Sequence, residues 1–235
     1  MALPIQNQTL VVGVVSDADT WRQLALADAP CDVVELRVDA LPAAERHLPL
    51  SAPCPKPLLL TLRHRSEGGA CEWSEAERLQ LAHELLPAAD MLDWEIAYLP
   101  GAEELLRAAK ARGVVIVASA HFFHSTPTLA EMQQLAKRAR TAGADVVKIA
   151  FTPLCKEDMQ TGLDFLRTGE SGESGEPGEP GEPLIAIMGM GPEYGPRSRK
   201  LYSAHGSALL YGYLGGRPIA PGQLSAAECR TLIRR

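Results

Sequence analysis

The sequence predicts an α/β fold, a (β/α)8 TIM barrel formed by a single domain over residues 1–235, and three observations point to it. Short apolar runs alternate with helix-patterned segments, the runs number eight, and ionisable residues gather at their C-terminal ends. The runs are 10–15, 32–38, 58–62, 91–96, 114–119, 145–150, 184–188 and 208–214. Several are rich in Val, Ile and Leu without strict alternation, which is how strands covered on both faces of a parallel sheet read. A doubly wound open sheet shares these local patterns and stays a second reading of the topology.

The intervening segments carry helix punctuation. Ser74, three residues before Glu77, makes a capping box that leads into Leu79, Ala82, Leu85 and Leu86. Thr126-Pro127 is expected to start a helix whose Leu129, Met132, Leu135, Ala136 and Ala139 share one face. Gly113 suits a left-handed cap on the helix before it. Residues 169–183 read GESGESGEPGEPGEP, five triplets without an apolar side chain. Such a segment has nothing to bury and is too short for a collagen-like assembly, so a solvated, flexible insertion before the seventh strand is expected.

At 235 residues and 46% hydrophobic content the chain can bury one large core. A net charge of -6 supplies no cationic face for nucleic acid or an anionic membrane, and a small-molecule partner fits better. No run approaches the roughly 20 apolar residues of a membrane helix. Met1 to Gln8 lacks the basic start and apolar run of a signal peptide, so a cytoplasmic location is expected. Cys31, Cys54, Cys71, Cys155 and Cys229 are scattered and never in a C-x-x-C pair. Neither a disulfide framework nor a zinc site is expected, and no metal or cofactor is called for.

The chemistry-bearing residues sit at the strand ends. Glu35, Arg37 and Asp39 alternate at the end of the second run and so share a face. Arg63 follows the third, Glu95 ends the fourth, His121 follows the fifth, and Met188 and Met190 close the seventh. Lys148 lies inside the sixth, between Val147 and Ile149, where a charge is costly unless paired or neutralised. Two readings fit it: a lysine pairing with Glu35 or Asp39, or an amine dry enough to act as a Schiff-base nucleophile. His121, with His124 beside it, either bonds a loop carbonyl or serves as an acid/base partner of Lys148. Glu67 either orients that imidazole or is a solvated turn residue before Gly68-Gly69. The loops Gly195-Pro196-Arg197-Ser198-Arg199 and Ala220-Pro221-Gly222-Gln223 carry groups that suit a carboxylate and hydroxyls.

Taken in order, these segments resemble type I 3-dehydroquinate dehydratases. The likeness rests on Glu35-Leu36-Arg37-Val38-Asp39, Thr61-Leu62-Arg63 with Glu67-Gly68-Gly69, Ser119-x-His121, and Ala144 to Ala150 around Lys148. Met188-Gly189-Met190, Ser198-Arg199, Gly206-Ser207 and Ala220 to Gln223 extend it over nearly the whole chain. The resemblance implies dehydration of 3-dehydroquinate to 3-dehydroshikimate in the shikimate pathway of aromatic amino-acid biosynthesis, by a homodimer. It implies that Lys148 forms an imine with the substrate ketone, that His121 moves the proton, and that Glu67 orients His121. It also implies that Glu35, Arg37, Arg63, Arg199 and Gln223 bind the substrate while Met188 and Met190 line the pocket. Two residues depart from the family pattern: Phe122 stands where Asp or Asn follows the histidine, and Ile219 replaces a substrate-binding serine. Another Schiff-base barrel of the class I aldolase kind, and a non-catalytic relative that only binds the metabolite, are the competing readings.

Overall fold

The computed structural model describes residues 8–24, 28–171, 183–215, 218 and 222–233. In chain order it runs β1 (Leu10–Val15), α1 (Ala18–Leu24), β2 (Val33–Arg37), α2 (Leu48–Ser51), β3 (Leu58–Thr61), α3 (Glu75–Leu85), β4 (Met91–Glu95) and α4 (Glu103–Ala111). The second half continues with β5 (Val115–Phe122), α5 (Leu129–Thr141), β6 (Val146–Phe151), α6 (Lys156–Ser171), β7 (Leu184–Gly189), α7 (Tyr194–Ser203), β8 (Leu209–Tyr213) and α8 (Ala226–Ile233).

All eight strands are parallel in the order β7-β6-β5-β4-β3-β2-β1-β8. The seam between β7 and β8 is closed by Ala208 N donating to Ile185 O at 2.8 Å and by Ser207, whose hydroxyl accepts from Ile187 N at 3.0 Å. A side-chain oxygen thus stands in for a missing ladder carbonyl, and the sheet becomes a TIM barrel rather than an open sheet.

Strand alternation sorts the side chains into two apolar layers. Val11, Leu36, Leu60, Trp94, Ile116 and Ile149 face outward against the helices. Leu10, Val12, Val33, Leu59, Met91, Val117 and Val146 fill the barrel interior. Above that inner plug the inward positions turn polar, and the site begins there.

Several local expectations hold with adjusted limits. Ser74 and Glu77 form the reciprocal capping box that opens α3, and Gly113 takes φ 74° after α4. The helix expected from Thr126-Pro127 starts later: Thr128 is the N-cap, its hydroxyl accepting from Glu131 N while Glu131 reaches back, a second capping box that outcompetes the proline signal. β5 runs to Phe122 because its pairing with β6 continues to Phe122↔Phe151, so His121 lies within the strand rather than after it. α6 extends through Ser171, which makes the first Gly-Glu-Ser triplet helical, whereas residues 172–182 of the expected insertion lie outside the described residues. Among the described residues no helix is long and apolar enough to cross a membrane.

Candidate active site

Inward-facing strand positions carry Glu35, Thr61, Asp93, Glu95, Ser119, His121 and Lys148 to the C-terminal mouth of the barrel. Glu35, Thr61, Asp93, Glu95, Ser119 and Lys148 are buried, and each of these charges except Glu35 meets an opposite charge. Lys148 is 4% exposed, and its Nζ donates to Asp93 Oδ2 at 2.9 Å. The lysine is therefore paired, with Asp93 in place of the Glu35 or Asp39 expected from sequence. The other Asp93 oxygen accepts from Ser119 Oγ at 2.6 Å and lies 2.9 Å from Arg63 Nη2. Burial alone would raise the Asp93 carboxyl, but Arg63 and Lys148 overcome it and hold the group far below the usual carboxylate range.

Arg63 is committed to this network. Its Nη1 donates to Glu95 Oε1 at 3.0 Å and to Ser119 Oγ at 2.6 Å. Glu95 is gripped from behind by Arg78 of α3, whose guanidinium stacks 3.8 Å over Trp94 and also donates to Leu62 O. Lys148, Asp93, Arg63, Glu95 and Arg78 thus lock each other, which suits a buried polar network only because every member is satisfied. Asp39 plays the same part at the rim. It receives a bidentate Arg37 fork at 2.9 and 2.7 Å and the backbone N–H groups of Arg63 and Ala70, tying the β2 and β3 loops together.

His121 faces Glu67, which reaches it from the loop after β3. Glu67 Oε2 meets ring Nδ1 at 2.9 Å and accepts the His121 backbone N–H at 3.0 Å. Burial, then Arg63 and Lys148, push the imidazole well below its ordinary value, so the ring is neutral at pH 7. Burial also pushes Glu67 up to about 7. Phe123 stacks on the ring with centroids 6.4 Å apart and leans over the Glu67-Gly68 turn. A Cβ on Gly68 would lie 2.6 Å from Phe123, and its φ of 84° independently favours glycine. Register puts Ser119 beside Lys148 and His121 beside Ala150, so His121 and Lys148 occupy neighbouring strands one inward step apart.

The remaining candidates lie on β2, at the end of β7, on α7 and in the loop before α8. Arg199 on α7 is 4% exposed, with Nε donating to Tyr211 O at 3.0 Å and Nη1 to Gly195 O at 2.9 Å. No carboxylate pairs with it among the described residues, and burial lowers its affinity for its proton. A buried guanidinium without a carboxylate partner has the charge and the donors that suit an anion. Gly222 packs so closely on Gly191 O that a Cβ would come within 2.1 Å, which brings Gln223 to the same loop. Met188 is buried in the inner layer and Met190 packs on it. Glu35 receives one bond, from Thr61 Oγ1 at 2.8 Å, and keeps acceptor capacity for a hydroxyl. A groove of about 850 Å³ between α4 and α5 lies on the outer wall and contains none of these groups. Convergent chemistry, rather than volume, marks the mouth. Among the described residues no group of three or more His, Cys, Asp or Glu is placed to hold a metal.

A family model for type I 3-dehydroquinase matches residues 11–234. The chain belongs to the type I 3-dehydroquinase family. The 3-dehydroquinate dehydratase of Methanothrix thermoacetophila is 32% identical over 232 residues, covering 99% of this chain and 93% of that protein. The structure of type I 3-dehydroquinate dehydratase from Clostridium difficile, with covalently modified comenic acid, superposes with TM-score 0.81 at 26% identity, over 97% of this chain and 92% of that one. That from Enterococcus faecalis gives TM-score 0.78 at 28% identity, over 96% and 93%.

Within this type I 3-dehydroquinase, Phe122 points outward and packs on the outer apolar layer, away from the mouth, because it alternates with His121. Ile219, Ala220 and Pro221 lie outside the described residues. Sequence reasoning passed over Asp93 and Arg78. Asp93-x-Glu95 repeats the alternating-charge signal of Glu35-x-Arg37, so Asp93 could have been found. Arg78, one of several charged residues on α3, left no such trace.

Proposed function

We propose that this chain dehydrates 3-dehydroquinate to 3-dehydroshikimate through an imine on Lys148, with His121 as the proton carrier. One observation carries the reading: a buried lysine and a neutral, carboxylate-oriented histidine stand one inward step apart on adjacent strands. The covalent modification described for the Clostridium difficile relative is consistent with it.

Lys148 adds to the ketone carbon, and the ketone oxygen leaves as water to give a protonated imine. That imine is an electron sink, so the neighbouring carbon can yield a proton to His121 Nε2 and form an enamine. The enamine expels the β-hydroxyl, which takes the proton from His121, and hydrolysis of the imine returns the lysine. Glu67 keeps the Nδ1 proton in place so that Nε2 can accept. Arg199 takes the substrate carboxylate, and Glu35, Arg37 and Gln223 take hydroxyls between the Met188 and Met190 thioethers. Arg63 serves this reaction by fixing Asp93 and Glu95.

A homodimer in the cytoplasm belongs to the same proposal and is tested by sedimentation of the purified chain and by fractionation. The reaction itself is tested by following enone absorbance on mixing purified protein with 3-dehydroquinate in the presence of a chelator. Absorbance should rise, and Lys148→Ala should abolish the rise. Full turnover by Lys148→Ala, or no enone at all, sinks the proposal.

A further inference from the structure

Tyr211 on β8 points into the barrel interior, 4% exposed, with its ring face against Lys148 and Nζ 4.4 Å from the ring centre. Its hydroxyl is buried and finds no hydrogen-bond partner among the described residues. Tyr202, the other tyrosine buried this deeply, donates to Met159 O at 3.0 Å. A buried phenol without a partner is costly, and a phenylalanine would fill the same space without that penalty. The hydroxyl is therefore best explained by something that occupies the mouth during the reaction.

We propose that the Tyr211 hydroxyl holds the oxygen that the substrate ketone loses to Lys148, and so serves imine formation directly; this rests on the imine reading above. The phenol oxygen is attached to a ring whose face contacts Nζ, so one oxygen atom on the carbon bonded to Nζ can reach it. One ammonium proton leaves nitrogen to free its lone pair, and as the C–N bond forms the carbonyl pair moves onto oxygen, which takes that proton and becomes the carbinolamine hydroxyl. When the C–O bond breaks, that oxygen departs as water with two of the three ammonium protons, and one proton and the positive charge stay on the iminium. Tyr211 gains and loses no proton in this sequence. It donates one hydrogen bond to the oxygen while negative charge builds there. Burial, then Glu35 and Asp93, keep the phenol protonated well above its ordinary range, which preserves it as a donor. Its ring face also stabilises the cation before and after the step.

The experiment uses Tyr211→Phe, which keeps the ring and removes only the hydroxyl. In a His121→Ala background the reaction halts at the imine, so samples mixed with 3-dehydroquinate and quenched with borohydride at timed intervals count the adduct on Lys148 by mass. Adding Tyr211→Phe should slow the approach to the plateau about tenfold, the loss of one hydrogen bond, with the plateau itself retained. The thermal midpoint should be no lower, since an unpaired buried hydroxyl has been removed. Equal rates with and without the hydroxyl overturn the role of Tyr211 and leave the imine intact. No adduct even with Tyr211 and His121 present overturns the imine reading itself.

Discussion

Glu67 Oε2 touches His121 twice, accepting its backbone N–H at 3.0 Å and meeting its ring Nδ1 at 2.9 Å. The backbone contact fixes where the carboxylate sits, and an ionised carboxylate can only accept, so Nδ1 carries the proton and Nε2 keeps its lone pair. Glu67→Gln removes that discrimination. kcat should fall about 10–100-fold with KM little changed. Steady-state kinetics showing an unaltered kcat would remove Glu67 from the mechanism.

The same contact sets a pH dependence. Glu67 titrates at about 7 because burial disfavours its charged form. Below that value the protonated carboxyl donates to Nδ1 and drives the ring proton to Nε2, where it blocks proton abstraction. kcat should therefore rise with pH through about 7 and then level off, and Glu67→Gln should lack that limb. A kcat profile that declines across the same interval contradicts the assignment.

Asp93 joins Lys148, Arg63 and Ser119, so Asp93→Asn leaves the buried Lys148 without an opposite charge and Arg63 with Glu95 alone. Chemical denaturation near neutral pH should show a loss of about 3–5 kcal/mol. The acid behaviour follows by linkage: the folded carboxyl lies below its ordinary 3.8, so the unfolded chain takes up the proton first as pH falls. Stability from this group is present above about 3.8 and drains away below it, and the variant should lose less on acidification. Equal stability of the two proteins at neutral pH would refute the network's role.

Arg199 has no acidic partner in the described residues, and the proposed reaction gives it the substrate carboxylate. Arg199→Lys keeps charge but not the fork, and KM should rise about 10–100-fold, the range for a hydrogen bond to a charged group, with a smaller change in kcat. An unchanged KM would move the carboxylate site elsewhere.

Ser207 closes the barrel seam by accepting from Ile187 N. Ser207→Ala leaves that buried N–H without an acceptor at a cost of about 1–3 kcal/mol, readable by urea unfolding, while turnover per folded molecule stays close to the parent. A silent substitution in the unfolding curve would mean the seam is held by other contacts.

The fold was legible because each strand leaves a short, largely apolar run, and Lys148 interrupts the sixth. Lys148 stood out because a lone charge between Val147 and Ile149 has few bland explanations. Its partner did not, since which carboxylate meets it depends on the stagger of neighbouring strands, and local pattern does not reveal that stagger. The start of α5 was misjudged by two residues because Thr128-x-x-Glu131 and Thr126-Pro127 compete as helix signals, and reciprocal hydrogen bonds won. Tyr211 falls within the run 208–214 and carries no separate signal in the sequence, and only its bare hydroxyl in three dimensions distinguishes it from a phenylalanine.

The proposed reaction requires Lys148 to bond covalently to the substrate ketone. Borohydride reduction of the complete protein in the presence of 3-dehydroquinate, followed by peptide mass mapping, tests it most directly. One reduced adduct is expected on the peptide containing Lys148, and none in Lys148→Ala. An adduct on a different lysine, or full dehydration without any adduct, would contradict it.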